Sequence, residues 1–155
     1  MRTEKRERDT LVEKVWEHKE LTCCVLLIRQ SHRCGYVRVP KNNPAFELNY
    51  EDVPVDVHGG LTFSNMSLTG QPDDENYHWF GFDCAHFGDE IRLSGLRNGF
   101  LHGHWWTLEE VITETNSLAE QLADLTWKEI VLHKMKYLPV WFTSRVELKK
   151  KSEAK

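Results

Sequence analysis

The run Leu21-Thr22-Cys23-Cys24-Val25-Leu26-Leu27-Ile28-Arg29, then Gln30-Ser31-His32-Arg33, then Tyr36-Val37-Arg38-Val39-Pro40, decides the fold class. The first piece is dense in apolar and β-branched residues, which pack well on a pleated surface, so it predicts a central strand. The polar break that follows predicts a turn. Tyr36 to Val39 alternates as a second strand should, and it stops at Pro40, whose nitrogen cannot donate to a ladder. Together the two strands predict a hairpin, and the aromatic stretch Tyr77 to Cys84 predicts another strand.

Upstream of this hairpin, Leu11, Val12, Val15 and Trp16 recur at helical spacing, predicting an amphipathic helix over Glu7 to Lys19. Downstream, Lys41 to Tyr50 carries Asn42, Asn43 and Pro44 and reads as a loop. Val53, Val55 and Val57 alternate with Pro54 and Asp56, which suits an extended edge segment ended by Gly59-Gly60. A short strand is expected at Leu61-Thr62-Phe63, and an exposed loop from Ser64 to Asn76. Phe87 to His104 reads as loop because Gly88, Gly95, Gly99 and Gly103 interrupt any period.

Helices are expected at the C-terminal end. Thr107-Leu108-Glu109-Glu110 is a capping box, in which the threonine hydroxyl and the glutamate carboxylate each satisfy an otherwise unpaired amide. The stripe Leu108, Val111, Ile112, Thr115, Leu118, Ala119, Leu122 then predicts a helix over Thr107 to Leu125. A second box, Thr126-Trp127-Lys128-Glu129, starts another helix that Pro139 stops. Trp141 and Phe142 are expected to pack back on the domain, and the charged tail from Glu147 to Lys155 to fray. The fold class is therefore α+β: a small, mainly antiparallel sheet against C-terminal helices, in one domain over residues 1–146 with a tail over 147–155.

A length of 155 residues falls in the usual range of roughly 100 to 200 per domain. The longest apolar run, Cys23 to Ile28, is far short of the roughly 20 residues that span a bilayer. Met1 to Arg8 is charged, unlike the apolar segment of a secretory signal, so a cytoplasmic location is expected. The net charge is -4, and the basic residues are dispersed apart from Lys149-Lys150-Lys151, which gives no footprint for a nucleic-acid backbone. Cys23, Cys24, Cys34 and Cys84 read as thiols packed as small hydrophobes rather than as a disulfide framework.

The polar chemistry is concentrated between His58 and Asp89. Gly59 and Gly60 follow an extended segment, allowing positive φ and close approach of a ligand to the backbone, with His58 before them and Thr62 after. Read blandly, the same residues make a tight turn. In Trp79-Phe80-Gly81-Phe82-Asp83-Cys84-Ala85-His86-Phe87-Gly88-Asp89, the polar residues Asp83, His86 and Asp89 are spaced three apart at a strand end. A carboxylate there must be solvated, hydrogen-bonded or bound to a cation.

Three readings stay open for this set. His58, Asp83, His86 and Asp89 suit a divalent metal ion with open positions that activate water, making a metal-dependent hydrolase. Without metal, His58, Gly59, Gly60, Thr62, Asp83, His86 and Asp89 suit a pocket for a small polar ligand, with Tyr36, Trp79 or Phe82 stacking on a ring. The third reading is a set of caps and hydrogen bonds between neighbouring loops. Cys34 carries no mark of a lowered pKa that would make it a nucleophile. Trp105 and Trp106 read as core or staple residues before the helix, His102 and His104 as exposed, and Glu109 and Glu110 as complementing the helix dipole.

Cys34-Gly35-Tyr36-Val37 with Val39-Pro40, Val57-His58-Gly59-Gly60-Leu61-Thr62-Phe63, and Gly81-Phe82-Asp83-Cys84-Ala85-His86 with Asp89 together resemble a family of short bacteriophage and prophage proteins that carries no assigned activity. The resemblance runs from the first strand to the Leu118-Ala119-Glu120-Gln121-Leu122 helix. It implies an accessory protein acting in a bacterial host cell, and such proteins often bind host defence effectors or sequester nucleotide signals. The favoured expectation is binding of a small polar, nucleotide-derived ligand, with sequestration of a host defence signal. The alternatives are a metal-dependent hydrolase of such a molecule and a protein-binding inhibitor of a host defence enzyme.

Overall fold

A computed structural model describes residues 9–68, 74–92 and 100–137, the side chains of Phe100 and Leu101 excepted. The expectations for Pro139, for Trp141 and Phe142, and for the tail from Glu147 lie outside the described residues. A five-stranded antiparallel sheet is built from β1 (Thr10–His18), β2 (Leu21–Ile28), β3 (His32–Pro40), β4 (Phe63–Asn65) and β5 (Tyr77–Asp83), in the order β1-β2-β3-β5-β4. Two further short strands, β6 (Ile91–Arg92) and β7 (Phe100–Leu101), pair separately. Helix α1 spans Leu108–Ala123 and α2 spans Trp127–Met135. This is the α+β arrangement expected, and no helix among the described residues is long and apolar enough to cross a membrane.

Strand alternation sorts the sheet into two faces. Cys23 and Val25 of β2, Val37 and Val39 of β3, and Phe80 and Phe82 of β5 pack with Val111, Leu118 and Leu122 of α1 in the main core. Cys24, Leu26 and Trp79, on the other face, form a second cluster with Tyr36, Phe63 and Leu68 packed against it. At Gly35 a Cβ would stand 2.6 Å from the Phe82 ring and closer still to the Thr115 hydroxyl, so the missing side chain lets α1 sit close over β3. Both helices begin as the sequence predicts. Thr107 with Glu110 and Thr126 with Glu129 form complete capping boxes.

The predicted N-terminal helix is instead β1. It pairs with β2 along its length, and the register slips between Val12 and Lys14. With Glu13 as the extra residue, Val12 faces Leu26 and Val15 faces Cys24, so residues three apart point to one side of a strand. The bulge imitates helical spacing. Leu11, Val12 and Val15 are more than half exposed, whereas Trp16 packs on the core and donates its indole N–H to Asn116 at 2.8 Å.

Two other segments differ from expectation in ways that matter for the site. Val53 to Val57 joins no ladder, although Val53 and Val57 are buried. The backbone of Asp56 pairs with the side-chain amide of Gln121 on α1: its N–H donates to Oε1 at 2.7 Å and its carbonyl accepts from Nε2 at 2.7 Å. That amide does the work of a neighbouring strand. The Phe87 to His104 stretch contains β6, β7 and a bridge between Asp89 and His104, in which the His104 N–H donates to Gly88 and the Glu90 N–H to His104. Local glycines hid this pairing, because it depends on partners eight to fifteen residues away.

Candidate functional site

The β5 strand ends at Asp83, opposite Cys34 near the start of β3. Beyond it the chain turns through Cys84 and Ala85 to His86, and the turn is pinned where the Cys84 amide donates to Arg33 and the Ala85 amide to Asp83 Oδ1. A tighter turn follows, in which the Asp89 N–H donates to the His86 carbonyl at 2.9 Å and Gly88 takes φ +94. The second loop comes from Val53–Gly60 and is tethered to α1. Gln121 holds Asp56, and the Glu114 carboxylate accepts the His58 amide at 2.6 Å. Both loops converge at one end of the sheet.

Asp89 lies at their junction. Its side chain is 3% exposed, and it accepts from His58 Nε2 at 2.7 Å, the His86 amide at 2.9 Å and the Trp106 indole N–H at 3.0 Å. Burial works against its charge, but these donors outweigh it and hold the carboxyl below its ordinary value. Trp106 also stacks on His58, with ring centroids 4.2 Å apart, so one indole braces two polar residues of the site.

His86 completes the cluster. Its ring meets that of His58 edge-on at 5.5 Å, and its Nδ1 lies 3.4 Å from Asp83 Oδ1 and 3.8 Å from Asp89 Oδ2. That nitrogen is buried and accepts or donates no hydrogen bond within the protein. One ligand atom each from His58, His86 and Asp89 fall within 4.8 Å of one another, a set that could hold a metal ion. Gly59 explains the closeness. At φ +68 a Cβ there would stand 2.5 Å from His86 Nε2 and nearer still to Cε1 and Nδ1.

The residues singled out in the sequence divide as follows. His58, Gly59, Asp83, His86 and Asp89 are brought together, and Thr62 joins them by donating its hydroxyl to Asp83 Oδ2 at 3.0 Å. Gly60 takes φ +79 with open space where a Cβ would be. Trp79 is not brought in, whereas Tyr36 stands at the edge of the set, near enough to Asp83 to feel its charge. Tyr36 packs edge-on against Phe63, and Trp79 is buried with Cys24 and Leu26, four residues along β5 from Asp83 and so roughly 13 Å away. Phe82 is buried in the main core. All three rings pack in or against the two apolar clusters.

Trp106 packs against the main core, as its reading as a core or staple residue expects, but that reading omits its bond to Asp89; the usable signal was its indole N–H, which in a half-buried tryptophan needs an acceptor. His32 was missed as well. It is half-buried at the start of β3, close enough to feel the charges of Asp83 and Asp89, and burial lowers its pKa on balance. The thiols offer no nucleophile: all four cysteines are buried and free, and burial pushes Cys34 up to about 12 and raises Cys84 further from its ordinary value. Comparisons of the chain with protein-family models, curated proteins and solved structures returned no match.

Proposed function

We propose that the protein is a metal-dependent hydrolase of a small polar, nucleotide-derived molecule, with His58, His86 and Asp89 as the ligands of a divalent ion. This reading rests on one observation: a ligand atom from each of His58, His86 and Asp89 lies within 4.8 Å of the others, and His86 Nδ1 is buried without a hydrogen bond. A buried polar atom left unpaired is costly, and a cation would satisfy it. Two imidazoles and a carboxylate suit a divalent ion that keeps open positions. Bound there, such an ion would supply Lewis acidity, lowering the pKa of a coordinated water to about 7.

The chain's own groups would divide the remaining work. Trp106 and the His86 amide fix the Asp89 carboxylate, and Glu114 and Gln121 fix the loop carrying His58. Asp83 stands beside the three ligands, is 28% exposed, and is oriented by Thr62 and the Ala85 amide, which suits it to accept a proton from water. Ligation needs one adjustment. His58 Nε2 and Asp89 Oδ2 are 2.7 Å apart, and bonds of about 2.1 Å to a tetrahedral ion require roughly 3.4 Å.

The same short contact favours a second reading, sequestration of such a ligand without metal or cleavage, since Asp89 already accepts three hydrogen bonds. Metal analysis of the purified protein, with nucleotides added and their products separated, distinguishes the two. The hydrolase reading expects one bound divalent ion per chain, lost in His86→Ala, and turnover abolished by chelator. Intact nucleotide stabilising metal-free protein would refute it in favour of sequestration.

A further inference from the structure

Phe87 stands between two of the proposed ligands, His86 and Asp89, and its side chain is wholly in water, at 109% of the reference exposure. The turn beneath it is fixed at both ends. The Asp89 N–H donates to the His86 carbonyl, the Asp89 carboxylate accepts the His86 amide, and Asp89 is bridged to His104. Gly88, at φ +94 with open space where a Cβ would be, carries the chain past the ring without covering it. The backbone that carries the ring is therefore fixed, next in sequence to His86 and two residues from Asp89, and the ring itself is open to solvent.

Among the described residues, the other aromatic rings near the site have partners. Trp106 lies on His58, Trp105 lies under Arg92 with 3.7 Å from guanidinium to ring, and Tyr36, Trp79 and Phe82 are packed in the two apolar clusters. Across the site, Gly59 is filled by the His86 ring, but Gly60 leaves open space. We infer that Phe87 is the ring-stacking residue of this site and that its substrate carries a planar heteroaromatic ring, such as a nucleobase. A phenyl face offers no hydrogen bond, so it selects for a flat π-surface and tolerates different bases. This inference rests on the reading of His58, His86 and Asp89 as the reactive centre.

The test compares wild type, Phe87→Ala and Phe87→Trp, each loaded with Zn(II) and assayed for metal content, by calorimetric titration with AMP and with ribose 5-phosphate. Stacking on an aromatic side chain corresponds to roughly tenfold or more in affinity per base. Phe87→Ala should weaken AMP by about that factor, Phe87→Trp should retain it, and neither change should alter metal content or ribose 5-phosphate binding. Equal AMP affinity in wild type and Phe87→Ala overturns the inference, as does failure of wild type to bind AMP at all. Absence of bound metal refutes the centre separately. The stacking role then stands or falls on the same AMP comparison made with metal-free protein.

Discussion

Gly59 and Gly60 form a matched pair for testing whether the two loops make one metal site. Both take positive φ, +68 and +79, so alanine at either position carries a backbone cost of roughly 1 to 2 kcal/mol. Only at Gly59 does the new Cβ collide, 2.5 Å from His86 Nε2 and closer to two other ring atoms, where ordinary contact begins near 3.4 Å. The imidazole must therefore retreat by about an ångström. Metal ligands tolerate about 0.2 Å, and an error of about 1 Å in a reacting group costs on the order of a hundredfold. Gly59→Ala should thus lower Zn(II) affinity about a hundredfold or more, measured by competition with a chromophoric chelator. Gly60→Ala, with nothing within 4 Å of its Cβ, should keep the affinity within a few-fold. Denaturant midpoints should fall in both, and by more in Gly59→Ala. Unchanged metal affinity in Gly59→Ala would refute the placement of His86 as a ligand.

Trp106→Phe retains the stack on His58 but removes the donor to Asp89 Oδ1, and should cost about 10 to 100-fold in Zn(II) affinity; loss of stability with affinity intact would assign Trp106 to packing alone. Leu118 is fully buried, so Leu118→Ala should cost about 2 to 5 kcal/mol in urea denaturation, and an unchanged midpoint would contradict its place in the core. The folded Asp89 carboxyl is held below its ordinary value, so the stability it contributes is present above the unfolded-state value near 3.9 and is lost as pH falls through the lower folded-state value. Asp89→Asn should accordingly be less stable at neutral pH and show a shallower loss of stability on acidification; parallel acid limbs would exclude Asp89 as the cause.

Much of the fold was legible because its signals are local. Leu21–Ile28, the alternation up to Pro40 and the aromatic run of β5 announce strands by composition, and two capping boxes with a clean apolar stripe announce α1 and α2. β1 was not legible, since the bulge at Glu13 gives a strand the three-residue spacing of a helix. In the site, polar residues beside glycines at strand ends marked His58, Asp83, His86 and Asp89. The sequence had no way to set Trp79 apart from Asp83, because that depends on distance along the strand and on which face of the sheet is covered. Gln121 and Glu114 were equally hidden. Their effect is to hydrogen-bond a backbone more than fifty residues away, and nothing in a helix's own periodicity reveals that.

The strand order has a kinetic consequence. β1, β2 and β3 form a meander joined by turns of two and three residues, with Lys19, Glu20, Arg29 and Gln30 all at positive φ, so its contacts are short in sequence. The cluster of His58, His86, Asp89 and Trp106 instead closes loops of 17, 31 and 48 residues, through Asp89–Trp106, His58–Asp89 and His58–Trp106, and requires α1 already docked to hold Asp56 and His58. Chain-closure entropy favours the meander as the nucleus and leaves the ligand cluster to assemble after the rate-limiting step. Substituting His58 should then quicken unfolding and leave refolding nearly unchanged in stopped-flow measurements, whereas substituting Val25 or Val37 should slow refolding. On this ordering, an ion that binds the finished cluster prolongs the life of the native state without hastening its formation.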